Sequence, residues 1–444
     1  MHGRARTTLC ALGAVVRTTL NTTFRQIIAW TFAMFCLVAC GGSGGGSPPS
    51  PPPAGGTPPP GNSPPPAPTT TVPQFTRAFA EFLGTPSATA AADLDGDGRD
   101  DLVVVTTDFG GSGAGSDQLY VFYQQTDGLS VVKFVDTAGS FVDKTWSVAV
   151  CDVDGDGKKE ILVGYEAGDL TVYKTAADGT PFLSATLTGV RSIKVLCADV
   201  DGDGLSDVVT VGKPDVNMQV LLQRNGVLVD QGPFPSDAVA VAYGDSGILR
   251  PLLELGDIDG DGKTDIVFFG REAGSFPKTL HAYIQDAPGH FAPPITLDFP
   301  RNSNDDIPVN AFVIVDLQSN GGRNIVASWG GNSPSAKIVV STHGANGQTL
   351  SSTSFSTLDI PAPIRVGDIN GDGRNDIVVF HDGWGFGVHY QNTDGTFTTE
   401  QFLPVGFGDQ ALSGQVIAVG DFDSDGKRDV AVADQTALFV FFQQ

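Results

Sequence analysis

The chain has 444 residues, of which 50 are Asp or Glu and 26 are Lys or Arg, for a formal net charge of −24. Such an excess repels a polyphosphate instead of releasing its counterions, so bulk electrostatics exclude a nucleic-acid binder and make cations the natural partners. With 56 Gly, 29 Pro and 28 Phe against 7 Tyr and 4 Trp, the composition predicts short strands joined by many turns, an all-β protein.

Arg4, Arg6, Arg17 and Arg25 precede an apolar run from Ile27 to Ala39. At about 13 residues this run is too short to span a bilayer and matches a secretory h-region, so residues 1–39 are expected to be an export signal. The run ends Leu37-Val38-Ala39-Cys40 and continues Gly41-Gly42-Ser43, which resembles the lipobox of bacterial lipoproteins. The resemblance implies cleavage before Cys40, a diacylglycerol on its thiol and acylation of its new amine. An ordinary signal peptide with a small-residue cleavage site is the alternative reading of the same residues. Gly41 stands where that family often carries the Asp of inner-membrane retention, so the expected address is the bacterial cell envelope, at the outer membrane.

Residues 41–72 hold twelve of the prolines, interspersed with Gly, Ser and Thr, and no charged side chain. Such a stretch cannot bury enough surface to offset the entropy of ordering it, so residues 40–72 are read as a lipidated cysteine followed by a disordered, partly polyproline II spacer. Fully extended in that form it reaches at most about 100 Å. Cys10 and Cys36 leave with the signal, and Cys151 and Cys197 remain. They stand one and two residues before acidic loops. Their side chains are therefore expected on opposite faces of equivalent strands, each as a buried free thiol.

From residue 73 onward one acidic loop recurs. Intact copies begin at Asp93, Asp152, Asp199, Asp257, Asp368 and Asp421, and a worn copy begins at Asp316; successive starts are separated by 59, 47, 58, 59, 52 and 53 residues. Carboxylates at loop positions 1, 3, 5 and 9, with Gly at position 6, form a concave set of hard oxygen donors around a tight turn, which is what calcium requires. Position 7 can add a backbone carbonyl. An EF-hand is excluded because position 12 is Val104, Val163, Thr210, Phe268, Val379 or Val432 instead of Glu. Magnesium fits less well, since it takes fewer protein ligands in a stricter octahedron.

Behind each loop runs a continuous β-branched stretch, as in Leu102–Val105 or Ile377–Phe380, and before it another short apolar run. A third strand (LYVFY, LTVYK, MQVLL, LHAYI, KIVVS, FGVHY, LFVFF) and, in most units, a fourth after a Gly turn complete the unit. Seven such units describe a seven-bladed β-propeller of four-stranded antiparallel blades. The last unit is one strand short, and the N-terminal segment Phe75–Ala80 is expected to supply the missing strand and close the last blade.

The motif DxDGDGxxD at this period resembles the FG-GAP or VCBS repeat family, which includes the integrin α-subunit propeller. The resemblance spans residues 73–444 and implies Ca²⁺ on one face of the disc, at about six sites. Its ligand sets would be Asp93, Asp95, Asp97, Arg99 and Asp101; Asp152, Asp154, Asp156, Lys158 and Glu160; Asp199, Asp201, Asp203, Leu205 and Asp207; Asp257, Asp259, Asp261, Lys263 and Asp265; Asp368, Asn370, Asp372, Arg374 and Asp376; and Asp421, Asp423, Asp425, Lys427 and Asp429, the position-7 residue serving through its carbonyl. In the fifth unit Gln318, Asn320 and Asn324 replace three acids, so no tight ion is expected there. Removing the signal takes four Arg and leaves −28; six Ca²⁺ would bring the chain to −16, so folding and metal binding are expected to be coupled.

The face opposite the acidic loops carries the segments of most variable length, and Phe109, Trp146, Arg271, Arg301, Trp329, Trp384 and Phe386 are the candidate ligand-face residues there or close by. Blade caps and channel fillers are the competing role for each. No HExxH or phosphate-binding glycine loop is present, and no GxSxG stands in a supporting context, Gly41-Gly42-Ser43-Gly44-Gly45 falling in the spacer. The expected function is a monomeric adhesion or ligand-binding platform for a protein or glycan; the alternative is a polysaccharide-active lyase or hydrolase on a propeller scaffold.

Overall fold

The computed structural model describes residues 74–444 apart from 83, 108–116, 126–127, 137–144, 166–168, 191, 213–216, 235–240, 244–248, 271–278, 301–308, 318–322, 345–346, 382–383, 406–415 and 435–436. The described residues all belong to the second of the chain's two units, Thr70–Gln444. The export signal, Cys40, the spacer, Phe109, Arg271 and Arg301 lie outside the described residues.

The second unit is all-β and forms a ring of seven four-stranded antiparallel blades. Strand β1 (Phe75–Glu81) is set aside for the last blade. Blade 1 is β2 (Thr85–Ala92), β3 (Asp101–Thr107), β4 (Gln118–Gln125) and β5 (Gly128–Asp136); blade 2 is β6 (Thr145–Cys151), β7 (Glu160–Tyr165), β8 (Leu170–Thr175) and β9 (Pro181–Leu187). Blade 3 is β10 (Lys194–Ala198), β11 (Asp207–Gly212), β12 (Asn217–Arg224) and β13 (Val227–Pro233). A small hairpin, β14 (Val241–Tyr243) and β15 (Leu249–Pro251), leads into blade 4, which is β16 (Leu253–Gly256), β17 (Asp265–Phe269), β18 (Leu280–Tyr283) and β21 (Ile295–Leu297); a second hairpin, β19 (Gln285–Ala287) and β20 (His290–Phe291), interrupts it. Blade 5 is β22 (Val309–Val315), β23 (Asn324–Trp329), β24 (Lys337–His343) and β25 (Thr349–Ser356). Blade 6 is β26 (Pro361–Gly367), β27 (Asp376–His381), β28 (Gly385–His389) and β29 (Gln401–Pro404), and blade 7 is β30 (Ile417–Gly420), β31 (Asp429–Asp434), β32 (Ala437–Gln443) and the N-terminal β1.

The apolar runs behave as their period dictates. Second strands such as β3 and β7 are buried along their whole length. Alternation then sends successive side chains to different neighbours: Val103 and Val105 pack with Val148 and Val163 of blade 2, whereas Leu102 and Val104 pack into the cluster shared with blade 7. Outer strands are half-wet, as in β25, where most side chains are exposed.

Closure has two seams. Strand β1 pairs with β32 from Phe75↔Gln443 to Glu81↔Ala437, so the first and last strands share one sheet. On the acidic-loop side Asp100 N donates to Asp421 O at 3.0 Å, Asp421 N donates to Asp100 Oδ2 at 3.1 Å, and Arg428 Nη1 reaches the same carboxylate at 3.1 Å.

The expectation of free thiols is corrected: Cys151 and Cys197 form a disulfide with Cα atoms 6.4 Å apart. Their difference in register explains it. Cys151 pairs with Glu160 at loop position 9, whereas Cys197 pairs one residue further along, with Val208. Their side chains thus leave opposite faces of equivalent strands, and β6 and β10 are inner strands of successive blades. In a ring the leading face of one blade meets the trailing face of the next, so opposite faces are the ones that meet.

Candidate metal centres

Each acidic loop joins the first strand of a blade to the second, which places all the intact loops on one face of the ring. Locally the turn is built by its own carboxylates. In blade 1 Asp93 at position 1 accepts from Gly96 N at 2.6 Å and Gly98 N at 3.1 Å, Asp95 accepts from Asp97 N at 3.2 Å, and Asp97 accepts from Arg99 N at 2.9 Å. Blades 2, 3 and 4 repeat this set, and position 1 holds position 6 in blades 6 and 7 as well. Gly96 and Gly98 both have positive φ, at 80° and 89°, a conformation that side chains other than Gly rarely adopt.

Position 9 opens the second strand and is buried. Asp101 accepts from Leu94 N at 2.9 Å and from Gln124 N at 3.0 Å. Asp207, Asp265, Asp376 and Asp429 are held the same way by Val200 and Gln223, Ile258 and Gln285, Ile369 and Gln391, and Phe422 and Gln443. A glutamine of the third strand, or just after it, therefore recurs in five blades as the donor that positions the innermost acid. Sequence reasoning misses it, although the pattern is visible as the Gln that follows the third-strand core in FYQ, LLQ, YIQ, HYQ and FFQ. The side chain can also tie neighbouring blades together, since Gln285 Nε2 donates to Val200 O in the loop of the preceding blade.

Carboxylate oxygens from positions 1, 3 and 9 lie within 4.8 Å of one another in blades 1, 2, 4 and 7 (Asp93, Asp95, Asp101; Asp152, Asp154, Glu160; Asp257, Asp259, Asp265; Asp421, Asp423, Asp429), and in blade 3 the set is Asp199, Asp201 and Asp203. These clusters can hold metal ions. In blades 1, 4, 6 and 7 position 5 is turned elsewhere: Asp97, Asp261, Asp372 and Asp425 are paired with the position-7 cations Arg99, Lys263, Arg374 and Lys427. In blade 2 Lys174 of the third strand takes both Asp154 and Asp156, and in blade 3 Arg224 takes both Asp201 and Asp203. The loop of blade 6 is not among the converging sets; Asn370 spends its amide on Asp372 Oδ2 at 3.0 Å. In blade 5 Asn324 replaces the buried acid, accepting from Leu317 N at 3.2 Å and donating to Thr342 Oγ1 at 2.8 Å. Gln318 and Asn320 lie outside the described residues.

The electrostatics fit a cation. Burial, with neighbouring loop carboxylates adding to it, pushes Asp101, Asp207 and Asp265 up to about 6, and pushes Asp376 and Asp429 up to about 7, despite their backbone hydrogen bonds. Glu160 is raised for the same reasons. Asp421 Oδ1 is buried with no hydrogen-bond partner. An all-oxygen donor set, an orphaned carboxylate oxygen and an innermost acid whose pKa burial and its neighbouring carboxylates raise match a hard divalent ion.

The candidate ligand-face residues divide sharply. Trp384, in the turn between β27 and β28 on the opposite face, is 71% exposed. Trp146, Trp329 and Phe386 are corrected to core residues, at 7%, 6% and 0% exposure. Trp146 packs with Ile193 and Met218, Trp329 lies tilted against Phe299 with ring centroids 5.7 Å apart, and Phe386 is edge-on to Phe441 at 5.0 Å. Large aromatics at strand ends fill the wedge between diverging blades, which is the capping role.

A ring of four-stranded sheets with acidic turns gathered on one face defines the class, a repeat-built β-propeller. The family model described as FG-GAP-like repeat matches residues 93–163, 152–210, 199–268 and 368–432, together more than half of the chain, and the chain belongs to that family. The stretch around the worn fifth loop is not in the match. No curated protein matches in sequence. Among solved structures the chain is similar to Raptor of Chaetomium thermophilum (10% identity, 84% of this chain and 30% of that one, TM-score 0.51). It is also similar to BBS1N in complex with ARL6DN (13%, 83% and 97%, 0.47) and to the Tc holotoxin pore of Photorhabdus luminescens (16%, 79% and 17%, 0.39). The chain thus spans 17% of the holotoxin chain and 30% of Raptor. At these identities the likeness concerns the fold alone.

Proposed function

We propose that this propeller is a calcium-loaded interaction platform, exported and tethered to the outer membrane through lipidated Cys40, that binds a protein or glycan on the face opposite its acidic loops. The observation that carries the reading is the division of labour between the two faces. One gathers the oxygen clusters that calcium would neutralise; the other presents Trp384, a large aromatic left 71% exposed in a chain that buries its other candidate tryptophans. The Cys151–Cys197 disulfide supports an oxidising compartment and hence export. Calcium would serve the platform by neutralising clustered acids and so fixing the loops that join each first strand to its second.

The test is a glycan and surface-protein array probed with residues 73–444 with and without calcium, followed by Trp384→Ala on any hit. The exposed position predicts an unchanged melting temperature and a loss of binding of about tenfold or more if Trp384 is an anchor. Full binding by the variant would remove the assigned face, and turnover of a polysaccharide would replace the platform by the enzyme.

A further inference from the structure

The inner strands line the central channel, and one layer of it is unlike the rest. Counting two residues back from the partner of loop position 9, five blades place Ala90, Ala149, Leu196, Val313 and Ala418, but blade 4 places Glu254 and blade 6 places Arg365. A third charge, Lys194, comes from β10. Its Nζ is fully engaged: it donates to Leu253 O at 2.5 Å and to Glu254 Oε1 at 2.7 Å, with Pro251 O at 3.5 Å.

Arg365 is left over. Its guanidinium has five N–H groups, and its one hydrogen bond among the described residues runs from Nη1 to Ile364 O, the carbonyl of the preceding residue, at 2.9 Å. The opposite charge acting on it is Glu254, which Lys194 already neutralises. Burial lowers the pKa of the guanidinium, yet the residue keeps partial exposure, and neither Nε nor Nη2, the nitrogens without a partner, is sealed off. A side chain deep in the disc that still meets open space faces the channel. The trio carries one net positive charge in a low-dielectric wall of apolar side chains, where an uncompensated ion is costly.

We propose that the channel binds one small oxyanion, a carboxylate or sulfate-type group, on the free fork of Arg365. Two parallel N–H donors of a guanidinium match two oxygens of such an anion, and a point-charge ammonium would not. The site is independent of the metal loops and of the opposite face.

The probe is sodium sulfate, with sodium acetate as the carboxylate arm and sodium chloride at matched ionic strength as control. Equilibrium dialysis should find one sulfate per chain, and binding should fall by about tenfold or more in Arg365→Gln. Sulfate and acetate should raise the melting temperature of the wild type beyond chloride and leave Arg365→Gln at its chloride value, apart from the general sulfate effect common to both. In chloride the variant should melt as high as the wild type, because it removes an uncompensated charge. Arg365→Lys guards against a folding failure: it keeps the charge, and should lose sulfate binding severalfold. No bound sulfate or acetate, equal binding by all three proteins, or a melting shift that is the same with and without the guanidinium would overturn the proposal.

Discussion

The Cys151–Cys197 bond offers the most direct test of how neighbouring blades are joined. It closes a loop of 46 residues. In the chain-entropy treatment such a loop removes about 13 to 14 cal/mol/K from the unfolded state, or about 4 kcal/mol at 25 °C. For a folded unit of this size the unfolding entropy is roughly 0.8 kcal/mol/K, so the expected loss is about 5 °C in melting temperature. The comparison is wild type against Cys151→Ala/Cys197→Ala, by calorimetry and by urea titration, with and without reductant. Reductant should lower the wild type towards the variant and leave the variant unmoved. A thiol count on the unfolded, unreduced chain should show the pair oxidised. Two free thiols there, or a variant melting within about a degree of the wild type, would refute the reasoning about facing blade surfaces.

Two further outcomes follow from buried charge. In excess chelator, Asp101, Asp207, Asp265, Asp376 and Asp429 bind protons more readily folded than unfolded. The metal-free chain should therefore gain stability as pH falls from about 7 towards about 5, because these five raised acids outnumber His343 and His389, whose burial-lowered values work in the other direction. With calcium bound, protons compete with the ion and the same step should cost stability; urea midpoints moving in the same direction in both states would contradict the metal assignment. At the junction of blades 5 and 6, Glu400 accepts from Leu358 N at 2.8 Å, Thr357 Oγ1 at 3.0 Å and His381 Nε2 at 2.5 Å. Burial raises its pKa, but the hydrogen bond from His381 and the fields of His381 and His389 bring it below the usual carboxylate range. Glu400→Ala should cost about 3 to 5 kcal/mol by urea unfolding, since it strands buried donors; a change within measurement error would show that the junction does not depend on this carboxylate.

Much of the ring is legible in the sequence because its unit repeats. The period of the DxDGDGxxD loop, the β-branched run after it and the orphan N-terminal strand are local signals, and each becomes a strand or turn of the expected kind, down to the N-terminal strand that pairs Phe75 with Gln443. What a linear reading does not supply is the relation between blades. Register alone puts the two thiols on opposite faces, yet the curvature that turns those faces towards each other belongs to the assembled ring. Residue type alone marks Trp146, Trp329 and Phe386 as ligand-face candidates, whereas their burial depends on wedge-shaped gaps that exist only between packed sheets. The third-strand glutamines repeat as plainly as the aspartates, but a neutral side chain announces no chemistry until its backbone N–H is seen beneath an acid.

The strand that completes blade 7 is also the first strand of the ring, bonded along seven residue pairs to the last strand of the chain. Any pull exerted through the residues ahead of Phe75 is therefore delivered to this seam before it reaches any other blade. The same hydrogen bonds that shut the ring would bear the first mechanical load, with the Asp100, Asp421 and Arg428 contacts as the reserve that keeps the circle whole should that strand peel away.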